Sequence, residues 1–283
     1  RQAIGIVGCI SPWNLPLYLF TWKIAPALAA GNCVIAKPSE VTPKTAALLG
    51  KICQAAGLPK GVLNILHGTG TCVGSAICNH KKIKAISFTG GTITGAAIAT
   101  QLAPQFKKLS LELGGKNPAL VFDDCDFDAT VEQVFKASFA NQGQICLCAS
   151  RIYIERSIFD KFKHALVAKT HALKPEDPRS KSSQMGAIVS KMHIEKILGY
   201  IELAKKEGGK VLVGGEQVHL GGRCTKGYFL QPTIIEGLTN QAQCNQEEIF
   251  GPVITLQAFD SDEEALAIAN DSQYGLAATV WTN

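Results

Sequence analysis

Short apolar runs alternate with amphipathic runs along the first 115 residues. Residues 3–10 and 33–38 are apolar and rich in β-branched side chains, as buried strands are. The stretches that follow them, 16–31 and 42–57, end at glycines and are typical of helices. The alternation continues in predicted strands at 61–68, 84–90 and 108–115 and predicted helices at 71–80 and 92–103. This order predicts a parallel sheet with helices on both faces.

The rest of the chain mixes strands and helices without any internal repeat. Its predicted strands cover 116–126, 150–156, 227–237 and 252–260, and its predicted helices cover 128–144, 157–173 and 191–209. We therefore predict an α/β fold with two domains, residues 1–113 and residues 114–283, divided near Gly114 and Gly115.

The overall composition is that of an ordinary globular protein. Hydrophobic residues make up 46% of the chain and charged residues 18%. The net charge of +5 is mild and the basic residues are scattered, so we predict no nucleic-acid partner. No apolar run approaches the roughly 18 residues that a membrane-spanning helix needs, so we also predict no membrane partner.

The chain has ten cysteines, most of them alone among apolar residues. This placement favours buried thiols over a secreted disulfide framework, so we predict a reducing compartment and a cytoplasmic location. Cys146 and Cys148 lie close together, but no histidine is near them, and C-x-C is not the C-x-x-C spacing of thioredoxin-like proteins. We therefore predict no metal site. The same spacing disfavours a redox pair, so from the residues alone a nucleophile and two ordinary buried thiols stay open.

Polar residues follow the predicted strands of the first half directly. Lys37, Ser39 and Glu40 follow one strand, the turn 89–91 follows another, and Glu112 ends a third. Ligands of open parallel sheets bind beyond the carboxyl ends of the strands, and the free N–H groups at the start of a helix can hold phosphate. The turn lacks the G-x-G-x-x-G fingerprint, so a plain strand-to-helix turn is its alternative. A solvated surface glutamate is the alternative for Glu40.

Asn14 lies in the stretch "SPWNLP", directly after a predicted strand. Pro12 and Pro16 make this loop stiff. The Asn14 amide can offer its N–H to an anionic oxygen, as oxyanion-binding side chains do. A structural turn is the alternative.

Across nearly the whole chain, the order and spacing of six motifs resemble the NAD(P)-dependent aldehyde dehydrogenase superfamily. The motifs are "SPWNLP", "GNCVIAKPSE", "SFTGG", "LELGGKNP", "NQGQICLC" and "EEIFGPV". The resemblance implies an aldehyde dehydrogenase-like fold with a parallel-sheet NAD-binding α/β domain, a catalytic α/β domain and a small β oligomerisation domain. We expect residues 1–113 to form the first and residues 114–283 the second.

The two ends of the chain also bear on this comparison. The chain has no methionine at its start and stops on "VWTN". The family's N-terminal segment and its C-terminal part, with the oligomerisation strand, have no counterpart here. We therefore expect a piece of a longer protein that forms a homo-oligomer, a dimer or a tetramer, when complete.

The resemblance assigns catalytic roles residue by residue. The family's nucleophile falls on Cys146, and its general base falls on Glu112 of "LELGG" at the spacing that the family pattern expects. The oxyanion amide falls on Asn14. Lys23 in "TWKIAPAL" matches a lysine associated with proton relay, and helix packing with the amine reaching toward solvent is the alternative. Cys148 is then expected to be a neighbouring packed thiol.

The cofactor that the resemblance implies is NAD. NADP is less favoured, because a carboxylate at Glu40 repels a 2′-phosphate. The family's serine after "FTG" is Gly91 here, so we expect backbone N–H groups to hold the pyrophosphate, with Thr92 as a substitute hydroxyl. The residues implied in cofactor binding are Trp13, Lys37, Ser39, Glu40, Thr89, Gly90, Gly91, Leu113, Glu248 and Phe250.

Within the superfamily, the stretches 11–40 and 138–148 are most similar to the 2-aminomuconate and 2-hydroxymuconate semialdehyde dehydrogenases. The implied reaction is NAD-dependent oxidation of an aldehyde to a carboxylic acid through a hemithioacetal and a thioester on cysteine. The expected substrate is 2-aminomuconate semialdehyde, from tryptophan catabolism. A dehydrogenase of broader range (retinal, betaine or aliphatic aldehydes) and an inactive fragment are the alternatives. A cysteine hydrolase is disfavoured because no histidine stands in a motif, and acyl transfer to coenzyme A is disfavoured by Glu112, which suits activation of water.

Overall fold

A computed structural model describes residues 2–283 of the chain. The chain forms two compact units, Arg1–Gly114 and Gly115–Asn283. Each unit has its own sheet and its own apolar cores. The α/β class predicted from the sequence is confirmed, while the functions assigned to residues 1–113 and 114–283 stay predictions.

The first unit alternates strands and helices along the chain. Its strands are β1 (Ile6–Ile10), β2 (Cys33–Lys37), β3 (Leu63–Ile65), β4 (Ile83–Thr89) and β5 (Lys108–Glu112). Its α-helices are α1 (Tyr18–Ala29), α2 (Lys44–Ala55), α3 (Ser75–Asn79) and α4 (Thr92–Leu102). A π-helical turn, Gly70–Gly74, precedes α3, and a short 3-10 helix, Ala103–Gln105, follows α4.

The strands of the first unit form one parallel sheet with the order β3-β2-β1-β4-β5. The chain moves outward from β1 to β3 on one side and then returns to place β4 on the other side of β1. The strand order therefore reverses between β1 and β4. In open parallel sheets, the crevice beyond the carboxyl ends at such a switch point is the usual place for a ligand.

Apolar side chains cover both faces of this sheet, as parallel sheets require. Successive residues of β1 point to opposite faces. Val7 and Cys9 join a core with α1 and α2, whereas Ile10 joins a core with α3 and α4. A fully buried side chain such as Phe20 contributes about 1.5–3 kcal/mol relative to an exposed one, so each face stabilises the sheet.

The second unit has a longer set of strands and helices. Its strands are β6 (Asn117–Val121), β7 (Ala149–Glu155), β8 (Lys210–Val213), β9 (Gln217–Val218), β10 (Phe229–Leu230), β11 (Thr233–Glu236), β12 (Val253–Phe259) and β13 (Thr279–Trp281). Its α-helices are α5 (Phe127–Phe139), α6 (Phe159–Ala172), α7 (Lys191–Lys206), α8 (Gln243–Gln246) and α9 (Asp262–Asn270). Short 3-10 helices occupy Ala140–Gly143 and Gly222–Cys224.

The main sheet of the second unit has the order β13-β6-β7-β12-β11-β8, and β9 pairs with β10 in a separate antiparallel ribbon. All neighbours in the main sheet are parallel except β8, which runs antiparallel to β11. Helices α5 and α6 supply Val134 and Phe162 to one core, and α7 supplies Ile197 and Ile201 to another.

Arg151 on β7 connects this sheet to the end of α9. Its side chain is 2% exposed, and its Nη1 and Nη2 donate to the carbonyls of Ile268 at 3.1 Å and Ala269 at 2.8 Å. These carbonyls lie in the last turn of α9, where the helix dipole favours a cation. Arg151 Nε also donates to the carbonyl of Lys116 at 2.9 Å, which joins α9 to the start of β6.

The structure differs from the predicted elements at two places that bear on the site. The helix predicted over 128–144 ends at Phe139, because Asn141, Gln142 and Gly143 all have positive φ angles. The strand predicted over 227–237 is divided into β10 and β11, which pair with different strands.

Candidate active site

The residues predicted at strand ends in the first unit share one edge of its sheet. Because β1, β2, β4 and β5 are parallel, their carboxyl ends meet at the same edge. The loop with Asn14 follows β1, Lys37 ends β2, Thr89 ends β4 and Glu112 ends β5. The edge therefore gathers Asn14, Lys37, Thr89 and Glu112, whereas Lys23 approaches from α1.

The loop after β1 begins next to β2. The Ser11 N–H donates to the Lys37 carbonyl at 3.1 Å, which extends the pairing of the two strands by one residue. Trp13 and Asn14 then lie half-buried in the loop. Ser11 Oγ is buried and has no hydrogen-bond partner among residues 2–283, so it is an unsatisfied polar atom at the switch point.

Lys37, Ser39 and Glu40 form a small bonded cluster after β2. The Lys37 ammonium is buried and donates to the Pro38 carbonyl at 3.0 Å and to Glu40 Oε2 at 2.9 Å. Burial acts to raise the pKa of the exposed Glu40 carboxyl, but hydrogen bonds to a backbone N–H and to Lys37 lower it overall. Ser39 Oγ accepts from the Val41 N–H at 3.2 Å. The Glu40 carboxylate is therefore charged and oriented before any ligand arrives.

The turn between β4 and α4 contains Thr89, Gly90 and Gly91. The Gly90 N–H donates to the Glu112 carbonyl at 3.0 Å, which continues the pairing of β4 with β5. Gly91 is the N-cap of α4, and a Cβ placed on it would meet nothing within 4 Å. Thr89 Oγ1 is buried without a hydrogen-bond partner in the described part of the chain. The turn thus offers an uncrowded helix N-terminus next to a buried hydroxyl, an arrangement that can bind phosphate.

Lys23 on α1 lies within the electrostatic field of Glu112. Its side chain is 9% exposed, and its ammonium donates to Ser87 Oγ at 3.2 Å. Burial lowers the pKa of Lys23, while the charges of Cys9 and Glu112 act to raise it. The ammonium is buried against Ser87 and does not reach toward solvent, so that alternative is wrong, and a role for Lys23 in proton relay stays a prediction.

Glu112 is the last residue of β5, and its side chain is exposed. This exposure differs from the apolar surroundings that favour a general base. Leu113 follows it and packs directly against Gly95 of α4, where a Cβ would collide with the leucine side chain. Both residues lie at the carboxyl edge of the sheet, as predicted.

The segment before Cys146 in the second unit adopts an unusual backbone. Asn141, Gln142 and Gly143 have φ angles of 48°, 58° and 66°, which is the left-handed region that non-glycine residues rarely occupy. Gln144 closes this turn: its N–H donates to the Asn141 carbonyl at 3.0 Å, and its side-chain oxygen accepts from the Val189 N–H at 3.1 Å. Such strained backbone is concentrated at functional sites, where the surrounding contacts hold it.

Cys146 lines a small cleft of the second unit that is partly open to solvent. The same cleft is lined by Glu248, Phe250, Cys148 and Lys116. The second unit therefore brings the predicted nucleophile together with Glu248 and Phe250, two of the residues predicted to bind the cofactor.

The two cysteines of the cleft differ in their surroundings. Cys148 Sγ lies 3.7 Å from the Ala140 carbonyl, to which its thiol donates. Burial raises the pKa of Cys148 to about 11, with a smaller lowering from the hydrogen bond of Ile145. Cys148 is therefore a thiol, not a thiolate, at neutral pH, and it is a poor nucleophile.

Glu248 and Phe250 are held by neighbouring backbone and helix groups. Glu248 Oε1 accepts from the Gly115 N–H at 3.1 Å, and burial raises the pKa of Glu248. Phe250 has a φ angle of 61°, and His193 Nε2 donates to its carbonyl at 2.7 Å. Lys196 Nζ donates to the Glu248 carbonyl at 2.9 Å. Two side chains one turn apart on α7 thus fix this loop.

Sequence reasoning missed three residues that the structure places at the cleft or against its loops. They are Lys116, Asn117 and His193. Lys116 is 2% exposed, and burial lowers its pKa to about 7. Lys116 and Asn117 stand inside the motif "LELGGKNP", but their types alone indicate no role.

The predicted site residues thus fall into two groups. The structure brings one group together at the sheet edge of the first unit and the other in the Cys146 cleft of the second unit. The distances from Cys146 to Glu112 and to Asn14 stay predictions, because these residues belong to different units.

The described residues also bear on metals and membranes. Across residues 2–283, no group of three or more His, Cys, Asp or Glu side chains is placed to hold a metal ion. No helix in this range has both the length and the apolar character needed to cross a membrane.

Known proteins resemble this chain over its whole length. The sequence model of the aldehyde dehydrogenase family matches residues 1–283. A 2-aminomuconic semialdehyde dehydrogenase from Mus musculus is 50% identical, and a 2-hydroxymuconic semialdehyde dehydrogenase from Pseudomonas putida is 46% identical; each alignment covers 100% of this chain and 58% of the relative. The crystal structure of a betaine aldehyde dehydrogenase from Staphylococcus aureus in complex with NAD+ superposes with a TM-score of 0.95 at 40% identity, over 99% of this chain and 55% of that one. The chain spans a little over half the length of the curated relatives it matches.

Proposed function

The chain belongs to the aldehyde dehydrogenase family, and on this premise we propose that the protein oxidises an aldehyde to a carboxylic acid with NAD as the acceptor. The reaction runs through a hemithioacetal and a thioester on Cys146. The observation that carries the proposal is the cleft of the second unit, which places a half-buried cysteine beside Glu248 and Phe250.

The donor set at the sheet edge of the first unit fits a dinucleotide. The open N-terminus of α4 suits the pyrophosphate, and the orphaned hydroxyl of Thr89 lies at the same turn. The charged Glu40 carboxylate suits ribose hydroxyls and disfavours a 2′-phosphate. We propose that Trp13, Lys37, Ser39, Gly90, Gly91 and Leu113 complete this site, and that Glu248 and Phe250 hold the nicotinamide ribose. When bound, NAD supplies the acceptor for the hydride.

Cys146 is the proposed nucleophile. A bare aldehyde carbon does not release hydride readily, whereas a thiolate adduct has an alkoxide that can drive hydride loss. Cys148 cannot substitute at neutral pH, because its raised pKa keeps it protonated. The left-handed turn at Asn141 and Gln142 sets the direction in which the backbone enters Cys146.

Asn14 and Glu112 supply the other two chemical roles. The alkoxide that forms on the hemithioacetal needs hydrogen-bond donors, and the Asn14 side-chain amide and the Cys146 backbone N–H provide them. Glu112 then removes a proton from the water that hydrolyses the thioester, which restores the free thiol. Lys23 lies in the field of Glu112 and is the proposed relay: its ammonium, whose pKa burial lowers, releases a proton to solvent, and the neutral amine then takes up the proton from Glu112.

The proposed substrate is 2-aminomuconate semialdehyde. Support comes from identity: the mouse and Pseudomonas relatives named for muconic semialdehydes share 50% and 46% of residues, against 40% for the betaine aldehyde dehydrogenase. The structural likeness to that enzyme keeps a broader aldehyde range as the second candidate. A homo-oligomer and a cytoplasmic location remain proposals based on family resemblance.

A substrate panel tests this function directly. NADH formation by the full-length protein is measured with 2-aminomuconate semialdehyde, betaine aldehyde, retinal and hexanal at equal concentrations. We expect the highest kcat/KM for the semialdehyde and no turnover with any aldehyde in Cys146→Ala. A higher kcat/KM for a simple aldehyde would favour the second candidate, and normal turnover of Cys146→Ala would overturn the mechanism.

A further inference from the structure

Asn117 is a buried residue against the Cys146 loop that the mechanism above does not use. Its side chain is 4% exposed. Its amide nitrogen donates to the carbonyl of Cys146 at 2.6 Å and to the carbonyl of Cys148 at 3.1 Å. One side-chain amide therefore holds both ends of the C-x-C segment. The Cys148 N–H closes the same turn by donating to the Ile145 carbonyl at 3.0 Å.

A break in strand register places Asn117 against these carbonyls. β6 and β7 pair Asn117 with Ala149 but Pro118 with Arg151, so Ser150 is the extra residue of a β-bulge. Bulges next to active sites re-aim a side chain and end regular pairing. Pro118 also has no N–H to contribute to the ladder at this point. The pairing of the two strands thus gives way to side-chain bonds where β7 meets the cysteine loop.

Gly115 packs closely against Asn117 and the backbone of Cys146. A Cβ on Gly115 would stand 2.7 Å from Asn117 Oδ1 and 3.2 Å from the Cys146 carbonyl oxygen. Asn117 Oδ1 is itself buried without a hydrogen-bond partner among residues 2–283, which costs free energy relative to an apolar side chain. The two bonds from its nitrogen are therefore what favours asparagine at this position.

We propose that Asn117 is a positioning residue that fixes the backbone on both sides of the Cys146 thiol. The role rests on the proposed function, since it concerns the nucleophile of that reaction. A thiol attached to an anchored backbone meets the aldehyde carbon in one orientation, whereas a released loop presents it in several. Small displacements of a reacting atom slow a reaction by large factors, so the effect falls on the rate of the chemical step.

Asn117→Ala removes both hydrogen bonds to the cysteine loop. Asn117→Ser leaves one hydroxyl donor on a shorter side chain. Asn245→Ala is the matched control: Asn245 is 2% exposed, its amide donates to the Thr239 carbonyl at 2.8 Å, and its Oδ1 likewise has no partner among the described residues. The two asparagines are alike in burial and in their unpartnered Oδ1, but the Asn117 amide donates to the cysteine loop twice and the Asn245 amide donates once, to a carbonyl outside that loop. All variants are made in the full-length protein.

The first measurement is amide hydrogen exchange over residues 145–149 without cofactor or aldehyde. We expect exchange about tenfold faster in Asn117→Ala, a smaller increase in Asn117→Ser and no change in Asn245→Ala. Unchanged exchange in both Asn117 variants would overturn the anchoring role. This readout does not depend on the reaction, so it decides the anchor even if the protein transfers no hydride.

The second measurement is the single-turnover rate of NADH formation per titrated Cys146 thiol. We expect a fall of about tenfold or more in Asn117→Ala with the Kd of NAD unchanged, and no fall in Asn245→Ala. Faster exchange together with an unchanged single-turnover rate would overturn the positioning role. If Asn117→Ala does not fold, Asn117→Ser is expected to show the same pattern at smaller amplitude. The absence of NADH formation in the unmodified protein would instead overturn the proposed function.

Discussion

The backbone N–H of Gly115 donates to Glu248 Oε1 at 3.1 Å, across 133 positions of sequence. The second glycine of "LELGG" therefore orients the carboxylate that we propose binds the nicotinamide ribose. The same glycine lies against the carbonyl of Cys146, where a Cβ would stand at 3.2 Å. Gly115 thus touches both the loop of Glu248 and the loop of Cys146, and a side chain at this position would crowd Asn117 Oδ1 and the Cys146 carbonyl.

Gly115→Ala is expected to disturb both loops. The added Cβ meets Asn117 Oδ1 and a backbone carbonyl, and neither can move cheaply. We expect a loss of about 1–3 kcal/mol in the free energy of unfolding, as for other overpacked buried sites, and a lower kcat. Urea unfolding and NADH formation measure the two effects.

Gly199→Ala is the control, because its Cβ meets nothing within 4 Å and it lies inside α7. Its free energy of unfolding should rise by about 0.5–1 kcal/mol. Equal stability of the two variants would contradict the account.

Gly91→Ser restores the hydroxyl that the family pattern has at the start of α4. The site has room for it, since a Cβ on Gly91 meets nothing within 4 Å and the backbone is extended there. A hydroxyl bonded to a charged phosphate contributes about 1.5 kcal/mol, so we expect the Kd of NAD to fall by about tenfold. Calorimetric titration measures it. Thr92→Val, made in the protein that retains Gly91, shows whether the Thr92 hydroxyl already binds the phosphate. If Thr92→Val weakens NAD binding and Gly91→Ser does not strengthen it, Thr92 already has this role.

The raised pKa of Cys148 predicts unequal labelling of the two cysteines. At pH 7 to 8, iodoacetamide should alkylate Cys146 well before Cys148, because the thiolate is the reacting form. The rate at Cys148 should rise about tenfold per pH unit until the pH nears its pKa of about 11. Fragmentation of the peptide that contains both residues assigns each adduct. Preferential labelling of Cys148 at pH 7 would reverse the proposed roles.

The lowered pKa of Lys116 predicts that this residue's contribution to the free energy of unfolding rises with pH. Its folded pKa of about 7 lies below the ordinary value of 10.5, since burial disfavours the charged form. Between these values the unfolded state binds a proton that the folded state does not, so the free energy of unfolding rises with pH. The slope from this one group is at most about 1.4 kcal/mol per pH unit.

The measurement compares Lys116→Met with the unmodified protein by urea unfolding at pH 7, 8 and 9. The variant should be more stable at pH 7, and its advantage should shrink as the pH rises, because the unmodified protein alone gains from deprotonation. Lys210→Met is the control, since Lys210 is exposed and its pairing with Glu236 is weak at 3.9 Å. An advantage that stays constant with pH would show that Lys116 is charged in the folded protein.

The strand-and-helix alternation and the strand-end residues were predictable from sequence. Parallel strands read as short apolar runs, and Lys37 and Glu112 both stand at carboxyl ends that the topology must bring to one edge. The motifs named Cys146, and its cleft also contains Glu248 and Phe250, which lie about 100 residues away.

The rest of the site could not be read from the sequence for physical reasons. The left-handed turn at Asn141 and Gln142 opposes local backbone preference and exists because tertiary contacts hold it. The anchoring bonds of Asn117 depend on a bulge between two strands, and the depressed pKa of Lys116 depends on burial by distant residues. The sequence around Asn117 shows no sign of the bulge, and the sequence around Lys116 shows no sign of the burial.

In the proposed reaction, Cys146 carries the acyl group and Glu112 activates the water that removes it. Glu112→Gln in the full-length protein, mixed with NAD and 2-aminomuconate semialdehyde and quenched in acid, tests this most directly. Mass spectrometry should show one acyl group per subunit, located on Cys146, together with a single burst of NADH and little further turnover. An acyl group on Cys148 or elsewhere, or steady turnover without an adduct, would contradict the account.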